Sequence, residues 1–213
     1  MRFVIRADGN SVVGLGHITR CLALADELKK YGDVQFISRP LPIRLPFKVN
    51  TLPKNITVEA DAKSTRNILK KLHPEVVIVD HHNIDQSYLD KIKPFSDLLV
   101  TIDDLKREMC SDIVVNVNCF SLKMKYRRGR GKVFLGPKYS LTRKTKPRKY
   151  VNRKAEKILV SMGGADVLNL TPKVIRALKL TSGVKVTVVI GPAFTNAGEI
   201  YRAIGRDKKF STT

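Results

Sequence analysis

The stretch Asp8-Gly9-Asn10-Ser11-Val12-Val13-Gly14-Leu15-Gly16-His17-Ile18-Thr19-Arg20 decides how this chain folds. Before it stands FVIRA (3–7), a short β-branched run that reads as a strand. After it, His17 to Lys30 reads as a helix. Ile18, Leu22 and Ala25 form one face, with Cys21, Leu24 and Leu28 beside it. A strand, a glycine turn and a helix open a parallel α/β sheet, and such sheets bind ligands at the carboxyl ends of their strands. Gly14 and Gly16 allow a tight turn and a close approach of backbone to ligand. The N–H groups that start the helix favour phosphate. His17, in the first turn, is placed to act as a general base. Asp8, ending the strand, could orient that ring or the substrate. Arg20, one turn on, could meet a phosphate or a carboxylate. The same residues also fit a plain glycine turn with a helix-capping histidine. The pattern lacks the third glycine of a dinucleotide site, and no P-loop lysine follows.

Working outward, the strand–helix alternation repeats. VQFIS (34–38) reads as a strand, and 40–58, with four prolines, as mostly loop. Ser64 caps a helix through Leu72. EVVIVD (75–80) is the continuous apolar run of a strand buried on both faces. A short helix near 85–93 follows, then strands at 97–103, 112–118 and 132–136. Asp80-His81-His82-Asn83 therefore falls at a strand end, on the same side of the sheet as His17. Adjacent imidazoles diverge and no third ligand is suitably spaced, so substrate hydrogen bonding is favoured over a metal. Asp80 would otherwise cap the turn. Asp103 and Asp104 also follow a strand, and are read as loop caps or arginine partners. Asn116 and Asn118 alternate with Val115 and Val117 and share one face. Cys21 is read as a small buried hydrophobe.

The pattern then restarts. Residues 1–143 form one Rossmann-like domain, 144–155 a basic linker, and 156–213 the beginning of a second domain. EKILVSMGG runs from strand into glycines, and NLTPKVIRALKL is a helix. Gly163-Gly164-Ala165-Asp166 repeats the strand–glycine–helix logic and could meet a phosphate. About one βαβ unit follows before residue 213, which reads as an unfinished second half.

Composition narrows the classes further. Of 213 residues, 43% are hydrophobic and 28% charged, so a core can form. Three widely spaced cysteines support neither a disulfide framework nor a Cys-x-x-Cys metal site. No apolar run reaches the roughly 18–20 residues of a membrane span. No signal peptide is read, and cytoplasm is the expected compartment. The net charge is +21, yet residues 121–157 hold 15 basic side chains against one acidic. That strip is read as a solvated linker and its flanks rather than a nucleic-acid interface. No RNP-type aromatic strand or zinc finger accompanies it.

Taken together, D-G-N-x-x-x-G-L-G-H-I-T-R, I-V-D-H, I-D-D, V-V-N-V-N, L-G-P-K-Y-S-L and S-M-G-G-A-D resemble the PseG-type UDP-2,4-diacetamido-2,4,6-trideoxy-β-L-altropyranose hydrolases and the related spore-coat polysaccharide G proteins. The likeness runs in order from residue 1 to about 190. It implies an α/β, GT-B-like, MurG-like fold of two Rossmann-like domains. It implies release of UDP from a UDP-sugar by inverting C–O cleavage, with no metal and no cofactor. Onto this chain it maps His17 as the catalytic histidine, Gly14 and Gly16 as the glycine loop, and Asp80 and His81 as the I-D-H motif. It adds Tyr139 and Arg143 as substrate contacts. The family's second domain continues further, so a separate chain is one way to supply the rest. A glycosyltransferase of the same fold, or a phosphate- or nucleic-acid-binding module using 121–157, are the rival expectations.

Overall fold

The computed structural model describes residues 1–105, 111–126, 131–143 and 155–213. Contacts divide the chain into two units: Met1–Asp8 with His17–Arg143, and Gly9–Gly16 with Lys144–Thr213.

The first unit is built on seven parallel strands in the order β3-β2-β1-β4-β5-β6-β7. They are β1 (Arg2–Ala7), β2 (Asp33–Ser38), β3 (Lys48–Thr51), β4 (Val76–Asp80), β5 (Leu98–Ile102), β6 (Ile113–Asn116) and β7 (Lys132–Leu135). The strand order reverses between β1 and β4, where Ala7 stands in register with Asp80. Helix α1 (Gly16–Leu28) covers one face of the sheet, while α2 (Val58–Leu72) and α3 (Gln86–Ile92) cover the other.

Alternation along the strands sorts side chains between these faces. Phe3, Ile5, Ala7 and Ile78 pack with Ile18, Cys21 and Ala25 of α1. Val4, Val77 and Val79 pack with Leu69 of α2 and Tyr88 and Leu89 of α3. Both central strands are buried on both faces, which is why they read as unbroken apolar runs.

Three elements differ from the sequence expectation. Strand β3 lies inside the proline-rich 40–58 segment, as a short edge strand beside β2. Helix α2 starts at Val58 rather than at Ser64. Thr57 caps it by accepting from the Ala60 N–H at 3.2 Å, and Glu59 and Asp61 fill its first turn. The third difference is a strand at the chain's last residues, in the second unit.

That unit carries β8 (Lys157–Val160), α4 (Thr171–Lys179), β9 (Lys185–Val188), α5 (Ala197–Ile204) and β10 (Phe210–Thr212). Its three strands are parallel, in the order β10-β9-β8. Val160, Ile175, Val186, Val188, Ile200 and Ile204 form its core. Loop Gly9–Gly16 groups here because Leu15 packs on Gly164: a Cβ on Gly164 would stand 2.5 Å from the Leu15 Cβ. The expected linker up to residue 154, and nine of the fifteen basic residues of the 121–157 strip, lie outside the described residues. Among the described residues, no helix is long and apolar enough to cross a membrane.

Candidate active site

In the first unit, the ends of β1 and β4 carry two aspartate–histidine pairs that cross between the strands. Asp80, ending β4, meets His17 at the start of α1: Nδ1 lies 2.6 Å from Asp80 Oδ1. Asp8, just past β1, meets His81, just past β4: Nε2 lies 2.8 Å from Asp8 Oδ2. Alternation accounts for the exchange. Asp80 shares parity with Ile78 and faces α1, whereas Asp8 shares parity with Val4 and faces α2 and α3. Asp8 therefore bonds His81 rather than the His17 ring that sequence proximity suggested.

Each pair is held by a guanidinium clamped between two carboxylates. On the α1 face, Arg20 donates to Asp80 at 2.5 and 2.6 Å and to Asp104 at 2.7 and 3.1 Å. On the opposite face, Arg6 donates to Asp8 at 2.6 and 2.9 Å and to Asp61 at 2.6 and 3.3 Å. Such bidentate charge-assisted bonds fix geometry as well as charge. Arg6 is wholly buried, and Tyr88 and Thr65 also donate to Asp61. Ser38 Oγ and the Arg39 N–H complete the ring around Asp8.

These contacts set the charge states. Burial opposes ionisation of Asp80, but hydrogen bonds from Arg20 and His17 hold it below the usual carboxylate range. Asp8 is likewise held far below that range against its burial, by His81 and Arg6. Asp61 and Asp104 are held low against burial by Arg6 and Arg20 respectively. Burial, reinforced by Asp80, pushes the Cys21 thiol well up, so it stays a neutral thiol 3.4 Å from that carboxylate.

An ionised Asp80 accepts the Nδ1–H of His17 and leaves a lone pair on Nε2. That is the arrangement of a histidine base oriented by a carboxylate. His82 packs edge-on against the His17 ring, with centroids 4.2 Å apart. A polar string continues across the sheet end: Asn118 donates to Asp104 and to Asn116, and Asn116 donates to Tyr126. Burial with the nearby Asp103 pushes Tyr126 up to about 12, so its neutral hydroxyl donates to Asp103.

His17, Asp80 and Asp104 bring ligand atoms within 4.8 Å of one another, a spacing a metal could use. The Arg20 guanidinium already bonds both carboxylates, so a cation would have to displace it.

Within the first unit, Tyr139 and Arg143 have partners outside this cluster. Tyr139 packs on Phe134 under the Lys138 ammonium, and Arg143 pairs with Asp26 of α1 at 3.2 Å. In the second unit, Asp166 accepts from the N–H groups of Leu170 and Thr171 and so caps α4. Gly163 has φ of +77°, a backbone conformation that favours glycine, and Gly164 makes room for Leu15. Gly14 also has φ of +77°, in a turn that Asn10 closes by accepting from Val12 and Val13. Gly16 differs: its φ is ordinary, and an added Cβ would meet nothing within 4 Å.

Arg6, Asp61, Tyr88 and Tyr126 were missed from the sequence. Arg6 carried a signal, since a charge inside an apolar strand needs a buried partner. Its partner Asp61 lies 55 residues away.

The fold and site define an α/β protein of GT-B-like class, with polar chemistry at the switch point of a parallel sheet. No protein-family model matches the chain. It is 31% identical to the UDP-2,4-diacetamido-2,4,6-trideoxy-beta-L-altropyranose hydrolase of Campylobacter jejuni, over 85% of this chain and 67% of that protein, and it belongs to that family. It is 28% identical to an uncharacterised protein of Methanocaldococcus jannaschii, over 98% of this chain. The chain spans only 46% of that relative's length. Its fold is similar to that of Acinetobacter baumannii MurG, with a TM-score of 0.55 at 10% identity, covering 100% of this chain and 67% of MurG.

Proposed function

We propose that the chain carries the base of a nucleotide-sugar hydrolase. The substrate would be a UDP-linked diacetamido-trideoxy sugar, in nonulosonic (pseudaminic) acid or surface polysaccharide biosynthesis. The observation that carries this is the Asp80–His17 pair at the first turn of α1, with Nδ1 engaged at 2.6 Å and Nε2 left to accept a proton. In the reaction, Nε2 takes a proton from water. The water oxygen bonds to the anomeric carbon on the side opposite the leaving group. The C–O bond to phosphate breaks, and UDP departs with the electron pair, inverting the centre. UDP is a good leaving group, so one base opposite it is the main requirement. Asp80 stabilises the imidazolium that forms. Gly16 supports the reading, since the fold does not require a glycine there and a ligand approaching the backbone does. The start of α1 carries no acidic side chain that would repel a diphosphate.

The proposal includes activity of the chain alone or together with a separate chain supplying the rest of its relatives' length. Turnover of the UDP-sugar in oxygen-18 water tests it. Label at C1 of the free sugar, without any acceptor, is the expected result. Label in the UDP phosphate would contradict C–O cleavage. Strict dependence on an acceptor would turn the reading to glycosyl transfer. Tight polynucleotide binding that falls steeply with salt would instead favour the 121–157 strip as a nucleic-acid site.

A further inference from the structure

The motif histidine His81 stands at the strand end beside Asp80, where a substrate contact was expected. Its hydrogen bonds describe another task. Nδ1 accepts from the backbone N–H of Asn83 at 3.0 Å. A nitrogen that accepts carries no proton, so the proton is on Nε2, which donates to Asp8 at 2.8 Å. Both ring nitrogens are thereby used within the protein. Parity also turns the ring away from α1: His81 follows Val77 and Val79 onto the α2–α3 face, while His82 follows Ile78 and Asp80 toward His17.

Behind His81 the network is buried and closely bonded. Asp8 is gripped by both Nη atoms of Arg6, and Arg6 is gripped in turn by Asp61. Arg6 is wholly buried, and Asp8 and Asp61 are 5% and 2% exposed. A network this dry and this fully bonded has one low-energy arrangement. Between that network and buried Ile84, the turn residues His82 and Asn83 are both exposed.

We propose that His81 is a positioning residue: the Arg6–Asp8 pair locks its Nε2–H tautomer, and its Nδ1 pins the Asn83 amide, so that the turn holds His82 edge-on against His17. The kinetic part of this proposal rests on the hydrolase reading; the structural part does not.

Two shortened or lengthened amides separate the functions of the ring. His81→Asn places an acceptor where Nδ1 stands but does not reach Asp8. His81→Gln places a donor where Nε2 stands but is displaced from the Asn83 amide. Long-range proton–nitrogen spectra of the unmodified protein should show Nε2 protonated and Nδ1 bare. The Asn83 amide should exchange at least tenfold faster in His81→Gln than in His81→Asn. The proton contact between the His17 and His82 rings should persist in His81→Asn and fade in His81→Gln. Turnover should follow, with kcat at least tenfold lower in His81→Gln than in His81→Asn and KM little different between them. The pH of half-maximal rate should be the same in both.

An Nδ1–H tautomer, or an Asn83 amide equally protected in both variants, overturns the anchor. Equal kcat with a raised KM in both would make His81 a substrate ligand instead. A shifted pH profile would make it an acid or base. If the unmodified protein turns over no UDP-sugar, the hydrolase reading fails, and the spectra and exchange rates still decide the anchor.

Discussion

The first strand of each unit is followed in the chain by a glycine-bearing loop and then a helix, yet the two strand ends are used differently. In the first, β1 closes with Arg6 and Asp8, and the sheet end holds Asp8, Asp80, Asp103, His17 and His81 in burial. In the second, β8 leads into Ser161, Gly163 and Gly164, and its nearest carboxylate, Asp166, caps α4. Among the described residues, Thr171 is the only buried polar side chain there. Buried charge costs desolvation, and an apolar residue in its place is often at least as stabilising. The first unit carries that cost at the strand ends that hold the two aspartate–histidine pairs. The second keeps an ordinary apolar core and offers backbone at its strand end. One supersecondary pattern thus carries a buried charge network in one unit and an apolar core in the other.

The sharpest way to break this contrast is to remove the proposed base. His17→Ala should lower kcat by about 10²–10⁴-fold, the usual contribution of a positioned acid or base. The circular dichroism spectrum and melting cooperativity should be retained. Turnover within threefold of the unmodified chain would remove the first unit's claim to the chemistry. Asp80→Asn should follow with a smaller loss of kcat, because the wrong tautomer of His17 becomes available.

Next in size is a stability effect. Arg6→Ala leaves Asp8 and Asp61 buried without their cation, and breaking such a pair costs about 3–5 kcal/mol. Ile175→Ala, in the core of the second unit, should cost about 2–5 kcal/mol by cavity formation alone. The two losses differ in their response to pH. Protonating the stranded carboxylates relieves the first, so the Arg6→Ala deficit should shrink in acid while the Ile175→Ala deficit stays constant. Urea titrations at pH 7 and pH 4.5 measure both. A constant Arg6→Ala deficit would mean that the network is not held by charge.

These contrasts also explain what the sequence revealed. Strand and helix order was legible because apolar periodicity is local, and β1, α1, β4 and α3 fall where it placed them. The His17 turn was legible because its glycines and histidine are contiguous. The pairing of Asp80 with His17 was not, because it depends on strand register: Ala7 opposes Asp80, and Asp8 falls on the other face. The parity of EVVIVD against FVIRA held that information, but only once β1 and β4 are known to be neighbours. The early start of α2 was hidden for a related reason. Its first turns are polar or small, and Asp61 is buried only because Arg6 arrives from β1.

A smaller effect follows from the acids themselves. Asp8, Asp61, Asp80 and Asp104 all have folded values held below the ordinary carboxylate range. Between those values and the unfolded value of about 3.9, the unfolded chain binds more protons. Their stabilisation is therefore complete above that pH and is lost as pH falls through the folded values. The second unit has Asp166 held low by the Thr171 and Leu170 amides, against the effect of burial. Hydrogen exchange, corrected for intrinsic rate, should show protection in β1 and β4 falling faster than in β9 between pH 5 and pH 2.5. Equal decline in both sheets would erase the electrostatic difference between the units.

The smallest change tests the glycines that follow β1 and β8 in the chain. A methyl group on Gly164 would stand 2.5 Å from Leu15 Cβ, the near end of that side chain, so packing must shift. Gly164→Ala should cost about 1–3 kcal/mol, as overpacking does. Gly16 has ordinary φ and open space around its missing Cβ. Gly16→Ala should therefore leave the fold as stable or more so, by about 0.4–1 kcal/mol through loss of unfolded-state freedom. If a ligand uses that space, the same change should raise KM for the UDP-sugar several-fold while the melting temperature rises. A variant that is both more stable and unchanged in KM would show that the glycine before His17 serves neither packing nor ligand approach.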